Sequence, residues 1–136
     1  MKRVKVSRKA HFNAAHRLYR KDWTDAQNEA HFGKCSNPHF HGHNYELIVS
    51  VTGEIDPDTG YVMDMKVLKD HIKAEVEDAF DHKNLNIEVP EFAELIPTAE
   101  NIVVVIHQKL KKILTSGQEL EVVLYEIPRN FVSYSE

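Results

Sequence analysis

The chain has a single cysteine among its 136 residues, so it can close no disulfide within itself. That fits a reducing compartment, with Cys35 either a chemical group or a passive small residue. No stretch approaches the length needed to cross a membrane. The opening Met1-Lys-Arg-Val-Lys-Val-Ser-Arg8 is basic but has no apolar run behind it, so neither a secretory signal nor an anchor is expected. Blocks of like charge are missing too. Seventeen basic residues are spread among 21 acidic ones, for a net charge of -4, which argues against a dedicated nucleic-acid surface. Repeats, low-complexity tracts and linkers are absent, and the length suits one domain over residues 1–136 with one core. The expectation is a soluble cytoplasmic protein whose partners are neither nucleic acid nor membrane.

What is present is concentrated in Phe32-Gly-Lys-Cys-Ser-Asn-Pro-His-Phe-His-Gly-His-Asn-Tyr45, which holds the cysteine and three histidines. Side chains of a strand alternate, so residues 41, 43, 45, 47, 49 and 51 share a face and read His, His, Tyr, Leu, Val, Val. The same rule applied to residues 4 to 16 puts Val4, Val6, Ala10, Phe12, Ala14 and His16 on one face, with Arg8 out of pattern. If the two strands pair as neighbours, His16, His41 and His43 converge. Three imidazoles with an open fourth position make a catalytic zinc site, and no second cysteine is available to close it. Taken singly, each histidine also suits an ordinary half-buried strand position; their joint placement favours the metal.

Between these strands Arg17 to Pro38 forms a long connection containing Trp23, Phe32 and Cys35, expected to fold over the site. The second strand is expected to start near His39. After it, Gly53 to Gly60 is rich in turn residues. A helix follows from about Met65 to Phe80, with Leu68, Ile72, Val76 and Phe80 as its buried stripe and Asp64 as N-cap. Asp81 to Asn86 reads as a polar turn. A second helix begins after Thr98, its N-cap, with Glu100 in the first turn and Ile102, Val105, Ile106, Leu110 and Ile113 facing inward, and Ser116-Gly117 ends it. Leu120 to Ile127 alternates as a third strand with Leu120, Val122, Leu124 and Glu126 on one face, and Phe131 to Tyr134 returns as a fourth. The order ββααββ predicts an α+β fold, a four-stranded antiparallel sheet with two helices on one face. Its open edges invite pairing between subunits.

Three further features could carry chemistry. Cys35 sits beside Lys34, and a nearby cation raises the thiolate fraction of a cysteine; burial under the loop is the alternative. Asp81-His82 places a carboxylate beside an imidazole, an arrangement suited to proton transfer and equally ordinary at a polar helix end. Glu126 breaks an apolar row, so a buried carboxylate there needs a partner. An amidine edge with two adjacent N–H donors would match it, as on a pterin or guanine; water at the strand end or Arg129 are the other partners.

The motifs Phe12-Asn-Ala-Ala-His16-Arg-Leu-Tyr19, Phe32-Gly-Lys-Cys35-Ser-Asn-Pro, His41-Gly-His43-Asn-Tyr45, Gly53-Glu-Ile-Asp-Pro57, Asp81-His82-Lys-Asn-Leu-Asn86, Val89-Pro-Glu-Phe92, Thr98-Ala-Glu100-Asn101 and Tyr125-Glu126 occur in one order. In these the chain resembles the 6-pyruvoyl-tetrahydropterin synthase family over nearly its full length. The resemblance implies the tunnelling fold, in which trimers close a barrel and two trimers stack into a homohexamer with active sites where subunits meet. It further implies zinc on His16, His41 and His43, proton transfer by Cys35 with Asp81 and His82, pterin anchoring by Glu126, and Thr98 and Glu100 near the pterin pocket. The implied substrate is 7,8-dihydroneopterin triphosphate, rearranged to 6-pyruvoyl-tetrahydropterin as triphosphate leaves, with magnesium as a further candidate on the triphosphate. A sister branch makes 6-carboxytetrahydropterin for deazapurine synthesis. The six-residue step from Cys35 to His41 resembles the biopterin branch, while Phe40 departs from the glycine expected before His-Gly-His. A non-catalytic pterin-binding module is the alternative of a different class.

Overall fold

The computed structural model describes residues 2–136. Its spine is a pair of strands, β1 (Arg3–His16) and β2 (His41–Glu54), running antiparallel in unbroken register from Arg3 opposite Glu54 to His16 opposite His41. The alternation expected from the sequence sets their faces. Phe12, Ala14 and His16 of β1 are buried, as are Tyr45, Leu47, Val49 and Val51 of β2, while Val4 at the far end is exposed. Strand β4 (Glu119–Ile127) pairs with the other side of β2, and β5 (Asn130–Ser135) returns beside β4. The sheet has five strands instead of the expected four, in the order β3-β1-β2-β4-β5. The extra strand, β3 (Lys83–Asn84), runs parallel to β1 at the edge, and its two polar residues are too few to show a period in the sequence.

Both expected helices form and pack their apolar stripes on one face of this sheet. The first is α2 (Met65–Ile72), which continues through a π turn at Lys73–Glu77 into α3 (Asp78–Phe80). Leu68, Ile72, Val76 and Phe80 are all buried, and Asp64 caps the start by accepting from the Lys66 amide at 2.9 Å. Phe80 meets the edge of Phe12, which in turn stacks on Tyr45 with ring centroids 4.9 Å apart. A short α4 (Leu85–Glu88) leads to the second long helix, α5 (Ala99–Leu110), capped by the Thr98 hydroxyl. Its buried face is Ile102, Val103, Ile106, His107 and Leu110; Val105 and Ile113 are only partly covered. His107 turns inward because its Nε2–H donates to the Leu120 carbonyl of β4 at 3.0 Å. The helix tightens into a 3₁₀ turn at Lys111–Ile113 before reaching Ser116-Gly117.

The connection between β1 and β2 is a folded unit. Its helix α1 (Asp25–Phe32) opens with a capping box in which Thr24 and Gln27 bond reciprocally, and a 3₁₀ turn follows at Gly33–Ser36. Asn28 is buried and fastens the loop, its side chain accepting from the Arg20 amide at 2.8 Å and donating to the Arg20 carbonyl at 3.0 Å. A tight turn over Asn37 to Phe40 delays the start of β2 to His41. Among the described residues no helix is long and apolar enough to cross a membrane.

Candidate active site

The register of β1 and β2 decides where the imidazoles go. His16 lies opposite His41, and Ala14 opposite His43, so all three rings project from the same face at the same end of the sheet. Their centroids are 4.5 to 5.0 Å apart. One nitrogen of each, with the other two, falls in a group spanning no more than 4.8 Å. His16 Nε2, His41 Nδ1 and His43 Nε2 are all buried and without a hydrogen-bond partner among the described residues. Buried imidazole nitrogens without partners are unfavourable, and a cation held among the three rings would satisfy them. The donor set therefore fits a divalent metal with a position left open.

A hydrogen bond outside the cluster orients His16. His16 Nδ1–H donates to the Pro97 carbonyl at 2.8 Å, with the Tyr45 hydroxyl 3.3 Å from the same nitrogen. That assignment leaves the Nε2 lone pair directed at the cluster. Burial, opposed by the Pro97 bond and assisted by the charges of His41 and His43, lowers the His16 pKa to about 4. Burial and then His43 also lower that of His41. Both rings are thus neutral at neutral pH, the form in which imidazole binds a metal. Tyr45 stood in the histidine row of the sequence and could have been singled out there; the Pro97 carbonyl, a backbone group, gave no side-chain signal.

Glu126 borders this cluster. The Leu18 amide donates to the Cys35 carbonyl at 2.8 Å, which ties the loop carrying this half-buried free thiol to the end of β1 just beyond His16. Tyr45 senses both groups: after burial, the charges of Glu126 and then Cys35 push its phenol well above the ordinary range. Glu126 shares the face of Leu120, Val122 and Leu124, as expected, and sits at an irregularity in the β4–β5 register between Tyr125 and Ile127. Its Oε1 lies 3.7 Å from His43 Nε2, and the side chain is 24% exposed. No ion pair with Arg129 forms among the described residues, which removes one of the partners considered for it. Glu126, Thr98, Glu100 and Phe131 line a cavity of about 480 Å³ that Arg129 also borders. Thr98 serves there and as the cap of α5.

Asp81 and His82 make side-chain contact, with His82 Nδ1 2.8 Å from Asp81 Oδ2. The other carboxylate oxygen accepts from the Asn13 amide at 2.8 Å, and this bond first, then His82, holds the Asp81 carboxyl below the usual carboxylate range. The His82 ring is 78% exposed and its backbone is left-handed, with φ of 60°. The cavity it lines includes Asn13, Gly42, His43 and Asn44 but neither Cys35 nor Glu126. The dyad is thus built within one chain, at a cavity that Cys35 does not line.

The low His16 value sets a pH window for metal-free protein. The unfolded chain takes up the proton near 6.5 and the folded chain only near 4, so the stabilising difference is present above 6.5 and lost as pH falls toward 4. Over that interval chelated protein is expected to lose about 3 kcal/mol more than a His16→Asn variant, read from urea midpoints. Parallel curves for the two proteins would contradict the burial of a neutral ring.

Residues 5–136 match the family of 6-pyruvoyl tetrahydropterin synthase. The chain is 47% identical over 131 residues to a protein of Pongo abelii named 6-pyruvoyl tetrahydrobiopterin synthase, covering 96% of this chain and 90% of the relative. A more distant relative, 26% identical over 95% of this chain and 98% of its own, is the 6-carboxy-5,6,7,8-tetrahydropterin synthase of Rickettsia bellii. The solved structure of Caenorhabditis elegans 6-pyruvoyl tetrahydropterin synthase superposes with a TM-score of 0.92 at 37% identity, covering 100% of this chain and 97% of that one. By its sequence and by its fold, the chain belongs to the 6-pyruvoyl tetrahydropterin synthase family.

Proposed function

We propose that the chain is a zinc-dependent lyase that converts 7,8-dihydroneopterin triphosphate to 6-pyruvoyl-tetrahydropterin and releases triphosphate. The observation that carries this reading is the set of three buried, unpartnered imidazole nitrogens beside a thiol and a carboxylate. The much higher identity to the biopterin-type relative than to the carboxypterin one supports the pyruvoyl product. Zinc on His16, His41 and His43 would supply Lewis acidity toward the hydroxylated side chain of the substrate.

The chain's own groups divide the remaining work. Glu126 accepts from the amidine edge of the pterin, with Thr98 and Glu100 shaping the same cavity. Cys35, as thiolate, takes a proton from the side-chain carbon. Asp81 fixes His82 through Nδ1, leaving Nε2 to exchange a proton. Because the cavity lined by His82 does not include Cys35, a neighbouring subunit would complete each site, in keeping with a homohexamer assembled through the open sheet edges. Magnesium would accompany the triphosphate, and the lone thiol suits a cytoplasmic setting.

Incubation of purified protein with dihydroneopterin triphosphate is expected to give 6-pyruvoyl-tetrahydropterin and triphosphate. A 6-carboxytetrahydropterin product with acetaldehyde would move the chain to the sister branch, and binding without turnover would make it a non-catalytic module. Cys35→Ala and His82→Ala should each lower kcat by at least about 100-fold. Co-assembled from equal amounts of both variants, the oligomer should recover roughly a quarter of native activity, since a site sharing residues between symmetric subunits regains an intact pair at random. Failure of properly mixed oligomers to recover would place all the catalytic groups in one chain.

A further inference from the structure

A substrate with a pterin at one end and a triphosphate at the other needs two receptors with the reacting carbons between them. The cavity bordered by Glu126 is one. A second, of about 780 Å³, is lined by sequence neighbours of residues that line the first: Arg17 beside Leu18, and Gly33 beside Phe32. Its two permanent cations directly flank site residues, Arg17 following His16 and Lys34 preceding Cys35.

The basic residues near the site differ in what already occupies them. Arg20 is held by both oxygens of Asp22, at 2.9 and 2.7 Å, and Lys21 donates to the Ala93 carbonyl at 2.6 Å. Arg129 borders the pterin-side cavity. The Lys34 residue is exposed, and its side chain makes no ion pair or hydrogen bond among the described residues. Arg17 is pre-positioned: Nε donates to the Ser36 carbonyl at 2.7 Å and the guanidinium lies 3.9 Å over the Tyr19 ring. Its Nη2 has only Asp25 at 3.6 Å, a carboxylate that is itself 92% exposed. The Arg17 side chain is itself only 13% exposed, so the guanidinium is held in place while its carboxylate partner, long and solvated, is readily exchanged for a better anion. Glu29 is the other carboxylate of the cavity, so the walls are balanced in charge until the polyanion arrives.

We propose that Arg17 and Lys34 receive the triphosphate of the substrate, placing the leaving group in this cavity while the pterin lies across the histidine cluster on the Glu126 side. The assignment rests on the proposed reaction and adds the direction in which the substrate lies. Arg17 supplies the planar fork suited to phosphate oxygens and Lys34 a mobile point charge.

Binding to the metal-loaded protein tests this without turnover. Inorganic tripolyphosphate and dihydroneopterin, which lacks the phosphates, are titrated separately by calorimetry. Lys34→Ala is expected to weaken tripolyphosphate by roughly tenfold, as for loss of one charge-assisted hydrogen bond, and to leave dihydroneopterin within about twofold. Arg17→Lys should likewise weaken tripolyphosphate selectively, and Arg20→Ala should change neither ligand. Equal loss of both ligands in Lys34→Ala, unchanged tripolyphosphate affinity in it, or no tripolyphosphate binding by the native protein overturns the assignment. The proposed reaction fails separately, on the identity of the product.

Discussion

The pairing of β1 with β2 is the constraint from which the site follows. A slip of one residue would turn Tyr45, Leu47, Val49 and Val51 out of the core, so burial of that row fixes the register. A slip of two would preserve the faces but carry His16 about 7 Å from its place opposite His41. The hydrophobic core and the histidine cluster are thus the same specification read at two ends of one strand pair. The metal-binding geometry depends on apolar packing as much as on the imidazoles themselves.

The two non-glycine residues with left-handed backbones both adjoin site residues. Phe40, with φ of 67°, immediately precedes His41, and His82, with φ of 60°, follows Asp81. Such conformations cost about 1–3 kcal/mol each and persist where their surroundings hold them. At Phe40 the geometry explains why the family resemblance leads to an expectation of glycine: the turn that launches the metal strand requires a positive φ. His82 is held by its amide bonding the Asn13 carbonyl at 2.6 Å, which, with the Asp81 bond to Asn13, clamps the dyad to the edge of β1. Unfavourable backbone is concentrated where side chains must be aimed.

Much of this was legible in the sequence because it depends on short-range periodicity. The alternation of residues 4 to 16 and 41 to 51 located the histidines, Asp64 and Thr98 marked the helix starts, and the apolar row containing Glu126 marked that carboxylate as unusual. The rest arises from contacts between distant segments. Two polar residues at β3 become a strand only because β1 offers an edge, and the π turn in the long helix leaves the spacing of its apolar stripe intact. Nothing local says that Pro97 orients His16, or that Asn13 holds both Asp81 and His82. Those relations appear only once residues far apart in sequence are brought together.

The proposed zinc is a single ion shared by His16, His41 and His43. X-ray absorption at the zinc edge, on protein purified without chelator and quantified by elemental analysis, tests it most directly. One zinc per chain is expected, with a first shell of about three imidazole nitrogens at roughly 2.0–2.1 Å and a further light atom. A sulfur-dominated shell, or an absence of any transition metal from active protein, would contradict it.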